Sequence, residues 1–556
     1  MSGLDQSSHE AGPQTRRHDA IVVGAGFAGL YALYRFRELG MSVRVLERGD
    51  SVGGTWFWNR YPGARCDVES VDYSYSFSPE LEQEWEWSER FATQPEILCY
   101  LNHVADRFEL RRDIELETLV TQAHFHEDSN RWLIRTSDGK RYSAKYCVMA
   151  TGCLSSVNTP KFNGLETFEG DWYHTARWPH EGVDFTGRRV GVIGTGSTGI
   201  QAIPRIAEHA EHLYVFQRTP NFSMPARNRP LHRDELREAK ATYRERRAVS
   251  RVSQRGTPFP MATKSALEVT PKEREAKFEA AWADGGPNGI TGSYLDISTN
   301  TEANELAAQF VRAKIREIVE DPAVAELLMP KDHPIGTKRI CVDTDYYRTY
   351  NRDNVTLVDV RSSPIEEITP RGIRTWDEHY ELDAIVFAIG FDAITGALSE
   401  IDIRGRGFLG LKDKWAEGPR TYLGLGSVGF PNLFLVTGPG SPSVLSNMVT
   451  SIEQHIDWTT DCVDHLERLG VEFIEATADA EDGWVHHVNE VARETLYPSA
   501  ASWYMGANIP GKPRIFMPYI GGVGAYREIC DRVAANGYEG FRLGAARTAD
   551  PVAAPS

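Results

Sequence analysis

Two glycine-rich loops are the residues whose types and spacing point most directly to chemistry. The first is Gly24-Ala25-Gly26-Phe27-Ala28-Gly29 and the second is Gly194-Thr195-Gly196-Ser197-Thr198-Gly199. Each loop follows a short apolar run and precedes a segment with a helical pattern. Glycines at this spacing allow a tight turn, and the N–H groups at the start of the next helix can then bind a pyrophosphate. The sequence therefore predicts two dinucleotide-binding sites.

The residue 23 positions after the first glycine differs between the two sites. At the first site it is Glu47, which follows the strand-like run 42–46. A carboxylate there accepts hydrogen bonds from the two hydroxyls of an unmodified ribose. At the second site it is Gln217, followed by Arg218, and a cation there suits a 2′-phosphate. This difference predicts FAD at the first site and NADPH at the second.

The elements that must position these loops are alternating strands and helices, so the fold class is predicted as α/β with two Rossmann-like dinucleotide-binding domains. We expect the FAD domain to comprise residues 1–155 and 391–556, and the NADPH domain to comprise residues 156–390. Long charged helices replace strands in 224–333, which indicates a helical insertion in the NADPH domain. Thr270 and Glu273 there have the spacing of a helix-capping pair. Residues 1–18 and the tail 545–556 are expected to lack order.

Composition excludes several classes of function. The chain has 556 residues and a formal net charge of −17, which argues against nucleic acid or an anionic membrane surface as the main partner. It has no apolar run of membrane-spanning length, and its polar N-terminus lacks the apolar core of a secretory signal. The seven cysteines are widely spaced and contain no Cys-x-x-Cys, which argues against a dithiol centre or a zinc ribbon. We therefore expect a cytoplasmic protein without a metal.

A third motif lies between the loops and carries a family resemblance. Its fixed positions are Phe168, Gly170, His174, Trp178 and Pro179. This motif resembles the fingerprint of type I Baeyer–Villiger monooxygenases, and a second family pattern runs from Gly54-x-Trp56 through Tyr61-Pro62-Gly63 to Asp67. The resemblance covers about residues 19–544 and is closest to the phenylacetone and steroid monooxygenases.

The resemblance implies oxidation of ketones to esters or lactones with NADPH and O₂. In the family a C4a-peroxyflavin attacks the ketone carbonyl, and the flavin supplies the demanding chemistry. Arg339 matches the arginine that stabilises the peroxide anion and the tetrahedral adduct, and Asp67 matches the aspartate that orients it. A guanidinium suits this role because it stays protonated. The expected substrates are aryl, cyclic or steroidal ketones. Regioselectivity, enantioselectivity and oligomeric state are not predicted, and a monomer is compatible with the sequence.

The resemblance also implies further contacts around the two ligands. We expect the cofactors to be bound by both loops and by Glu47, Trp56, Asp67, Gln201, Arg218, Thr219, Lys338 and Trp503. Trp503 resembles a tryptophan on a mobile loop that folds over NADP⁺. Ser443, Val444 and Leu445 resemble the substrate loop, and His174 resembles a linker residue that couples domain movement. The chain departs from the family at Ile389, where a threonine is usual, so a hydroxyl contact is in doubt there.

Three alternatives share parts of this pattern. A flavin monooxygenase that oxidises nitrogen or sulfur would use the same loops, but the Trp178-Pro179 ending, Asp67 and Arg339 argue against it. An NADPH:flavin or disulfide reductase is a second alternative, and the missing Cys-x-x-Cys speaks against the disulfide form. A non-catalytic flavoprotein would not need Asp67 together with Lys338 and Arg339.

Overall fold

The structure is a computed structural model that describes residues 15–544, and most of its strands belong to two large sheets with helices packed on them. The strands are β1 (Arg16–Val23), β2 (Val43–Leu46), β3 (Ile114–Glu115), β4 (Val120–His126), β5 (Arg131–Thr136), β6 (Arg141–Met149), β7 (Asp171–His174), β8 (Arg189–Ile193), β9 (His212–Gln217), β10 (Ser223–Pro225), β11 (Cys341–Asp343), β12 (Val355–Asp359), β13 (Ile365–Thr369), β14 (Gly372–Thr375), β15 (His379–Glu381), β16 (Ala384–Phe387), β17 (Asp402–Arg404), β18 (Leu433–Leu435), β19 (Phe473–Ala476) and β20 (Phe541–Gly544). The helices are α1 (Phe27–Glu38), α2 (Thr55–Trp58), α3 (Pro79–Glu84), α4 (Gln94–Arg107), α5 (Ser197–Ala207), α6 (Arg233–Val252), α7 (Pro271–Asp284), α8 (Thr301–Ile318), α9 (Pro322–Leu328), α10 (Tyr346–Thr349), α11 (Gly396–Ser399), α12 (Leu411–Lys414), α13 (Met448–Leu469), α14 (Ala478–Arg493) and α15 (Val523–Ala535).

The first sheet has the strand order β17-β4-β5-β6-β1-β2-β3, and β18 also pairs with β6. Its central strand β1 ends in Ala20, Ile21, Val22 and Val23, which are all buried. A parallel strand covered on both faces needs such a continuous apolar run rather than an alternating one. The first glycine-rich loop follows this strand directly, so the packed core of the sheet fixes its position.

Two segments distant in sequence, strand β18 and helix α13, complete the first sheet and the core that covers it. The β5 strand pairs antiparallel with the first half of β6, and β18 pairs parallel with its second half, at Leu433↔Cys147. Helix α13 packs against α1, where the Tyr31 hydroxyl donates to Asp457 Oδ1 at 2.6 Å. The core around the first loop therefore depends on residues more than 400 positions apart.

The second sheet has the strand order β12-β9-β8-β16-β7, and every neighbouring pair is parallel. Its second glycine-rich loop lies between β8 and α5. The segment between β9 and β12 contains α6, α7, α8 and α9, as the composition of 224–333 predicted. At the start of α7, Glu273 N donates to Thr270 Oγ1 at 3.3 Å and Thr270 N donates to Glu273 Oε2 at 3.0 Å, so the predicted capping pair is confirmed. The predicted α/β class with two Rossmann-like sheets is confirmed as well.

Two expectations from the sequence need correction. Arg16, Arg17 and His18 were expected to lack order, but they lie in β1 and pair with Tyr142, Ser143 and Ala144 of β6. The polar side chains of these residues gave no strand pattern in the sequence, because backbone pairing with β6 rather than apolar burial holds them in place. The apolar patterns predict helices that begin at Leu30 and Ile200, but the helices begin three residues earlier, directly after Gly26 and Gly196. Residues 1–14 and the tail 545–556 lie outside the described residues.

Two connectors join the sheets and run side by side. One follows β6 and the other follows β16, and an antiparallel bridge links Val157 to Phe391. The Asn158 N–H donates to the Gly390 carbonyl at 3.2 Å. We propose residues 155 and 390 as domain boundaries because both lie in these connectors. The carboxyl ends of β1 and β8 face one shared cavity beside the connectors.

Candidate active site

The first loop is held by close backbone packing. A Cβ added at Gly24 (φ +103°) would lie 2.6 Å from the Ala150 carbonyl oxygen, and one at Gly29 would lie 1.8 Å from the Gly24 carbonyl oxygen. A Cβ at Gly26 would lie 3.2 Å from the Cα of Gly54. Only glycine fits this turn without moving backbone. The N-terminus of α1 has no side-chain cap, so its N–H groups remain available to an anionic ligand.

Glu47 lies at the end of β2, beside the first loop, and lines the cavity. The Ala25 N–H donates to Glu47 Oε2 at 2.7 Å, and the Gly49 N–H donates to Oε1 at 2.8 Å. Both bonds orient the carboxylate and leave lone pairs on each oxygen. This geometry suits a carboxylate that accepts from a ribose diol.

The second loop has the same turn but more open space. A Cβ at Gly194 (φ +110°) would lie 2.5 Å from the Ala388 carbonyl oxygen, and one at Gly199 would lie 2.2 Å from the Gly194 carbonyl oxygen. Beyond its own chain neighbours, a Cβ built at Gly196 would have no atom of the described residues within 4 Å. Helix α5 also starts without a side-chain cap. The second loop therefore presents an open helix terminus to the cavity.

A cluster of cations surrounds the far end of the second loop. Arg218, Lys338 and Arg361 all line the cavity, and Arg361 Nη2 donates to Asp332 Oδ2 at 2.6 Å. Burial lowers the pKa of Lys338. The negative charge of Asp332 acts in the opposite direction and raises this pKa, whereas the positive charges of Arg218 and Arg361 lower it further. A phosphate placed among these cations would relieve their mutual repulsion. Thr219 lines the same region, and its carbonyl accepts from Thr195 Oγ1 at 3.0 Å.

Asp67 and Arg339 form a two-point ion pair on the cavity wall. Arg339 Nε donates to Asp67 Oδ2 at 2.7 Å, and Nη2 donates to Oδ1 at 2.8 Å. Arg339 Nη1 also donates to the Val444 carbonyl oxygen at 2.6 Å. Burial raises the pKa of Asp67, but the charge and hydrogen bonds of Arg339 outweigh this effect and hold it below its ordinary value. Burial opposes the charge of Arg339, yet Asp67 raises the guanidinium pKa well above its ordinary value. The pair therefore stays ionised.

One cavity of about 1460 Å³ collects these groups. Its wall includes glycines of both loops together with Glu47, Asp67, Arg339 and the cation cluster. Ligand cavities are typically 300–1,000 Å³, so this one is large. The two uncapped helix N-termini open into it from the two sheets. These residues fit a dinucleotide at each loop, with FAD at the loop beside Glu47 and NADPH at the loop flanked by cations.

Three other predicted cofactor residues also line the cavity. Trp56 Nε1 donates to the Tyr73 hydroxyl at 3.1 Å, which fixes the indole on the wall near the first loop. Gln201 lies on α5, where the Tyr61 hydroxyl donates to its Oε1 at 2.8 Å. Trp503 lies in a short 3₁₀ turn, Trp503–Met505, and also lines the cavity. The cavity thus brings together residues that the sequence places over 400 positions apart.

The predicted substrate residues divide into two groups. Val444 lines the cavity and its carbonyl contacts Arg339. Ser443 is fully buried behind the wall, where its Oγ lies 3.1 Å from Cys153 Sγ. Leu445 packs into the same apolar cluster as Cys153 and does not line this cavity. Of these residues, Val444 has the position from which a side chain can contact a substrate.

The fingerprint residues lie outside the cavity wall. Gly170 permits close packing, since a Cβ there would lie 2.5 Å from the Asp383 carbonyl oxygen and 2.7 Å from the Phe168 ring. His174 ends β7 opposite Phe387 of β16, and its Nδ1 accepts from the Ala176 N–H at 3.1 Å. Burial lowers the pKa of His174 to about 4, so the ring is neutral at physiological pH.

The end of the fingerprint has a packing role. Trp178 is buried against the rings of Tyr173 and Phe185, and Pro179 follows it half-buried. The motif therefore shapes the β7 edge of the second sheet. This edge lies beside the strand that leads into the second connector, where Ile389 lines the cavity and its carbonyl accepts from Asn158 Nδ2 at 3.4 Å.

Sequence reasoning missed Asp332 and Arg361. Arg361 follows β12, the strand next to β9 in the second sheet. Ligands in such sheets bind beyond the carboxyl ends of the strands, so the position of Arg361 after Asp359 was the signal that could have identified it. Asp332 gave no comparable signal because it lies in a loop after α9 and reaches the cluster only through the fold.

Two classes of feature are absent from residues 15–544. No group of three or more histidine, cysteine, aspartate or glutamate side chains has an arrangement that could hold a metal. Nor does any helix in this range combine the length and apolar character that crossing a bilayer requires. All seven cysteines are free, and six of them are buried.

Comparison with known proteins extends these observations. A family profile described as "Pyridine nucleotide-disulphide oxidoreductase" matches residues 21–275, which include both glycine-rich loops. A Baeyer-Villiger monooxygenase of Pseudooceanicola batsensis is 46% identical over 523 residues, which cover 94% of this chain and 95% of that protein. A phenazine N-monooxygenase of Lysobacter antibioticus is 42% identical over 529 residues, which cover 94% and 97%.

A solved structure agrees with this match. An oxidised steroid monooxygenase bound to NADP superimposes with a TM-score of 0.92 at 57% identity, covering 95% of this chain and 99% of that chain. These similarities extend over nearly the full length of the proteins, and they agree with the fingerprint at 168–179. The resemblance indicated by the sequence motifs is thus confirmed, and the chain belongs to the Baeyer–Villiger monooxygenase family.

Proposed function

We propose that the protein uses NADPH and O₂ to oxidise ketones to esters or lactones. One oxygen atom enters the bond between the carbonyl carbon and its neighbour, and the other leaves as water. NADPH supplies two electrons, and a proton comes from solvent. The observation that carries this proposal is the Asp67–Arg339 pair, which lies on the wall of the cavity shared by both glycine-rich loops.

The chain would hold the two ligands through different groups. The first loop, the α1 terminus and Glu47 would bind FAD, and the second loop with Arg218, Lys338 and Thr219 would bind NADPH. Bound FAD would supply electron transfer and oxygen activation, which no side chain provides. Trp56 and Trp503 line the cavity and would limit access of water.

Arg339 would stabilise negative charge on the reacting oxygen atoms. Its contacts with Asp67 and Val444 occupy three of the five guanidinium N–H donors and fix the plane of the group. The remaining donors can bind an oxyanion, and fixed donors of this kind contribute most to catalysis where charge develops. Because Asp67 keeps the guanidinium protonated, Arg339 would not transfer its own proton to that oxygen.

Replacement of Arg339 by alanine tests this role. We expect ester formation to fall by about 100-fold or more, while anaerobic reduction of bound flavin by NADPH changes far less. Arg189→Ala is a matched control, because Arg189 makes a two-point pair with Asp383 (3.1 and 2.9 Å) away from the cavity. Mass spectrometry with ¹⁸O₂ would measure one labelled oxygen per ester. Ester formation near the wild-type rate in Arg339→Ala would remove Arg339 from this role.

Oxidation of nitrogen or sulfur is the second candidate function. The similarity to a phenazine N-monooxygenase favours it, since that name describes oxidation at nitrogen. A competition assay with equal concentrations of a cyclic ketone and an aryl methyl sulfide separates the candidates. Ester or lactone as the main product supports the proposal, and sulfoxide alone would support the alternative.

We further propose bulky aryl, cyclic or steroidal ketones as substrates and a cytoplasmic location. The size of the cavity and the similarity to a steroid monooxygenase support the first point. The seven free cysteines support the second, because thiols persist in a reducing compartment. Rates measured across ketones of increasing size test the substrate class; a preference for acetone over every cyclic ketone would contradict it.

A further inference from the structure

The segment 501–514 forms one wall of the cavity. It lies between α14 and α15, and eight of its residues line the cavity, among them Trp503 and Asn508. Its only regular element is the short turn Trp503–Met505. A segment with so little secondary structure of its own needs contacts with the rest of the protein to keep one position.

Two polar side chains tie this segment to the second connector. Lys512 Nζ donates to Asp392 Oδ1 at 2.5 Å and to the Ala393 carbonyl oxygen at 3.1 Å. Asn508 Nδ2 donates to the Phe391 carbonyl oxygen at 2.8 Å. The Lys512 side chain is only 13% exposed and that of Asp392 is 29% exposed. Sheltering from water strengthens the attraction between opposite charges relative to a surface pair.

Apolar contacts hold the other end of the segment. Trp503 and Met505 belong to one cluster with Ala393 and Ile394 of the connector. The Met517 N–H also donates to the Tyr504 carbonyl at 2.9 Å. The stretch 506–512 has no comparable apolar anchor among the clusters of the described residues, so Asn508 and Lys512 provide its side-chain attachment to the connector.

We propose that Lys512 is a positioning residue whose ion pair with Asp392 holds the segment 501–514 over the cavity and thereby retains the nicotinamide coenzyme. This inference rests on the proposed function, because it takes the ligand of the second loop to be NADPH. The connector follows β16, the neighbour of β8 in the second sheet, so the pair fixes the segment relative to the strand that leads into the second loop. Loss of the pair would leave the stretch 506–512 with Asn508 as its remaining side-chain attachment to the connector, without changing the Asp67–Arg339 pair.

The test compares FAD-loaded Lys512→Met with wild type. We expect the Kd of NADP⁺ and the KM of NADPH to rise about tenfold, while kcat changes by less than twofold. More of the NADPH consumed should end as hydrogen peroxide rather than ester. Chymotrypsin should cut after Trp503 or Tyr504 faster than in wild type, and saturating NADP⁺ should protect less.

Lys145→Met is the matched control. Lys145 Nζ contacts Glu467 Oε1 and the Val471 carbonyl, both at 2.8 Å, and its side chain is 15% exposed. The Lys145→Met variant loses the same kind of ion pair at a site outside the cavity wall. Its NADP⁺ affinity should therefore equal that of wild type. The charge-swapped double variant, Lys512→Asp with Asp392→Lys, should recover most of the affinity if the pair itself is responsible.

The outcomes separate this inference from the proposed function. Unchanged NADP⁺ affinity and unchanged cleavage in Lys512→Met would overturn the role of Lys512, whatever product the enzyme makes. If Lys512→Met loses FAD and does not fold, Asp392→Asn, which removes the partner charge, replaces it under the same criteria. NADP⁺ binding and proteolysis need no ketone, so a wild-type enzyme that binds NADP⁺ but yields no ester would contradict only the proposed function.

Discussion

The two glycine-rich loops differ most at their middle glycine. At the first loop, Gly26 packs against Gly54, and a Cβ at Gly54 would lie 2.8 Å from the Gly26 Cα. At the second loop, a Cβ at Gly196 meets no described atom within 4 Å. Protein backbone therefore encloses the first loop, whereas the second is left open on the ligand side. This difference fits a cofactor that stays bound at the first loop and a coenzyme that exchanges at the second.

The residues at the ends of the strands beside the two loops, Glu47 and Gln217, also differ in whether they face the cavity. Glu47 is fixed by two backbone N–H groups and lines the cavity. Gln217, at the equivalent position, is buried and donates from Nε2 to the Leu327 carbonyl at 2.9 Å. The neighbouring Arg218 lines the cavity instead. The same loop and strand arrangement thus serves two ligands. At the equivalent position, the Glu47 side chain faces the cavity, whereas the Gln217 side chain contacts α9.

The largest expected effect comes from the third glycine of each loop. Gly29→Ala should abolish FAD binding, because its Cβ would lie 1.8 Å from a carbonyl oxygen of the same loop. Gly199→Ala should retain FAD but lose flavin reduction by NADPH, since the matching distance is 2.2 Å. Gly483→Ala is the control, because a Cβ at this position in α14 would meet no described atom within 4 Å beyond its own turn of helix. Flavin absorbance per protein and anaerobic reduction rates measure both effects. Equal loss of FAD in the two loop variants would contradict the assignment.

A smaller effect is expected at the strand ends. Glu47→Gln should weaken FAD binding by about 10- to 100-fold, because the amide nitrogen would face one of the N–H donors that the carboxylate now accepts. Gln217→Glu should leave FAD affinity unchanged. Fluorescence of released FAD gives both dissociation constants. An equal loss in the two variants would show that the strand ends do not distinguish the ligands.

Removal of the cation beside the second loop should have a more modest effect. Arg218→Ala should raise the KM of NADPH about tenfold, the cost of one partly exposed charge-assisted contact, and leave FAD content and the KM of NADH unchanged. Arg233→Ala, on the exposed start of α6, is the control. Steady-state rates with the two coenzymes test this prediction. An unchanged NADPH:NADH preference would place Arg218 outside the 2′-phosphate site.

The smallest expected effect concerns two buried histidines, His174 at the end of β7 and His455 in α13. Burial lowers the pKa of His174 to about 4 and that of His455 to about 3. Since the unfolded state binds a proton near pH 6.5 and the folded state does not, stability is complete above that pH and falls as pH drops toward 4 and 3. Between pH 7 and 6 each residue should cost about 0.7 kcal/mol or less.

Thermal midpoints measured at pH 7 and pH 6 test this last prediction. His174→Gln and His455→Gln should each lower stability at pH 7 but reduce its loss on acidification, because glutamine does not titrate. His486→Gln is the control, since His486 is exposed on α14. An unchanged pH dependence in both buried variants would contradict the linkage.

The fold was largely predictable from local patterns, because the apolar runs before Gly24 and Gly194 and the glycine spacing reflect local backbone geometry. The early helix starts were missed because Phe27 and Ser197 enter their helices through loop geometry rather than an apolar face. Arg16 was missed because strand pairing uses backbone groups that carry no side-chain signal.

The site was predictable only where motifs carry information. The Asp67–Arg339 pair followed from family resemblance, since no local pattern relates residues 272 positions apart. The inward position of Ser443 depends on a positive φ of 41° and on Cys153 behind it, which the sequence does not reveal. The Lys512–Asp392 pair and the contact of Asp332 with Arg361 arise from tertiary packing alone.

The split first sheet also has a consequence for synthesis on the ribosome. All strands of the second sheet lie in one stretch of the chain, Asp171 to Phe387. The first sheet and its core are complete only with strand β18 and helix α13, which follow residue 430. Translation proceeds at about 5–20 residues per second, so roughly 15 to 60 s separate β6 from its partner β18. The half of the protein that is translated first is thus completed last, and until then the nascent α1 exposes the surface that α13 will cover.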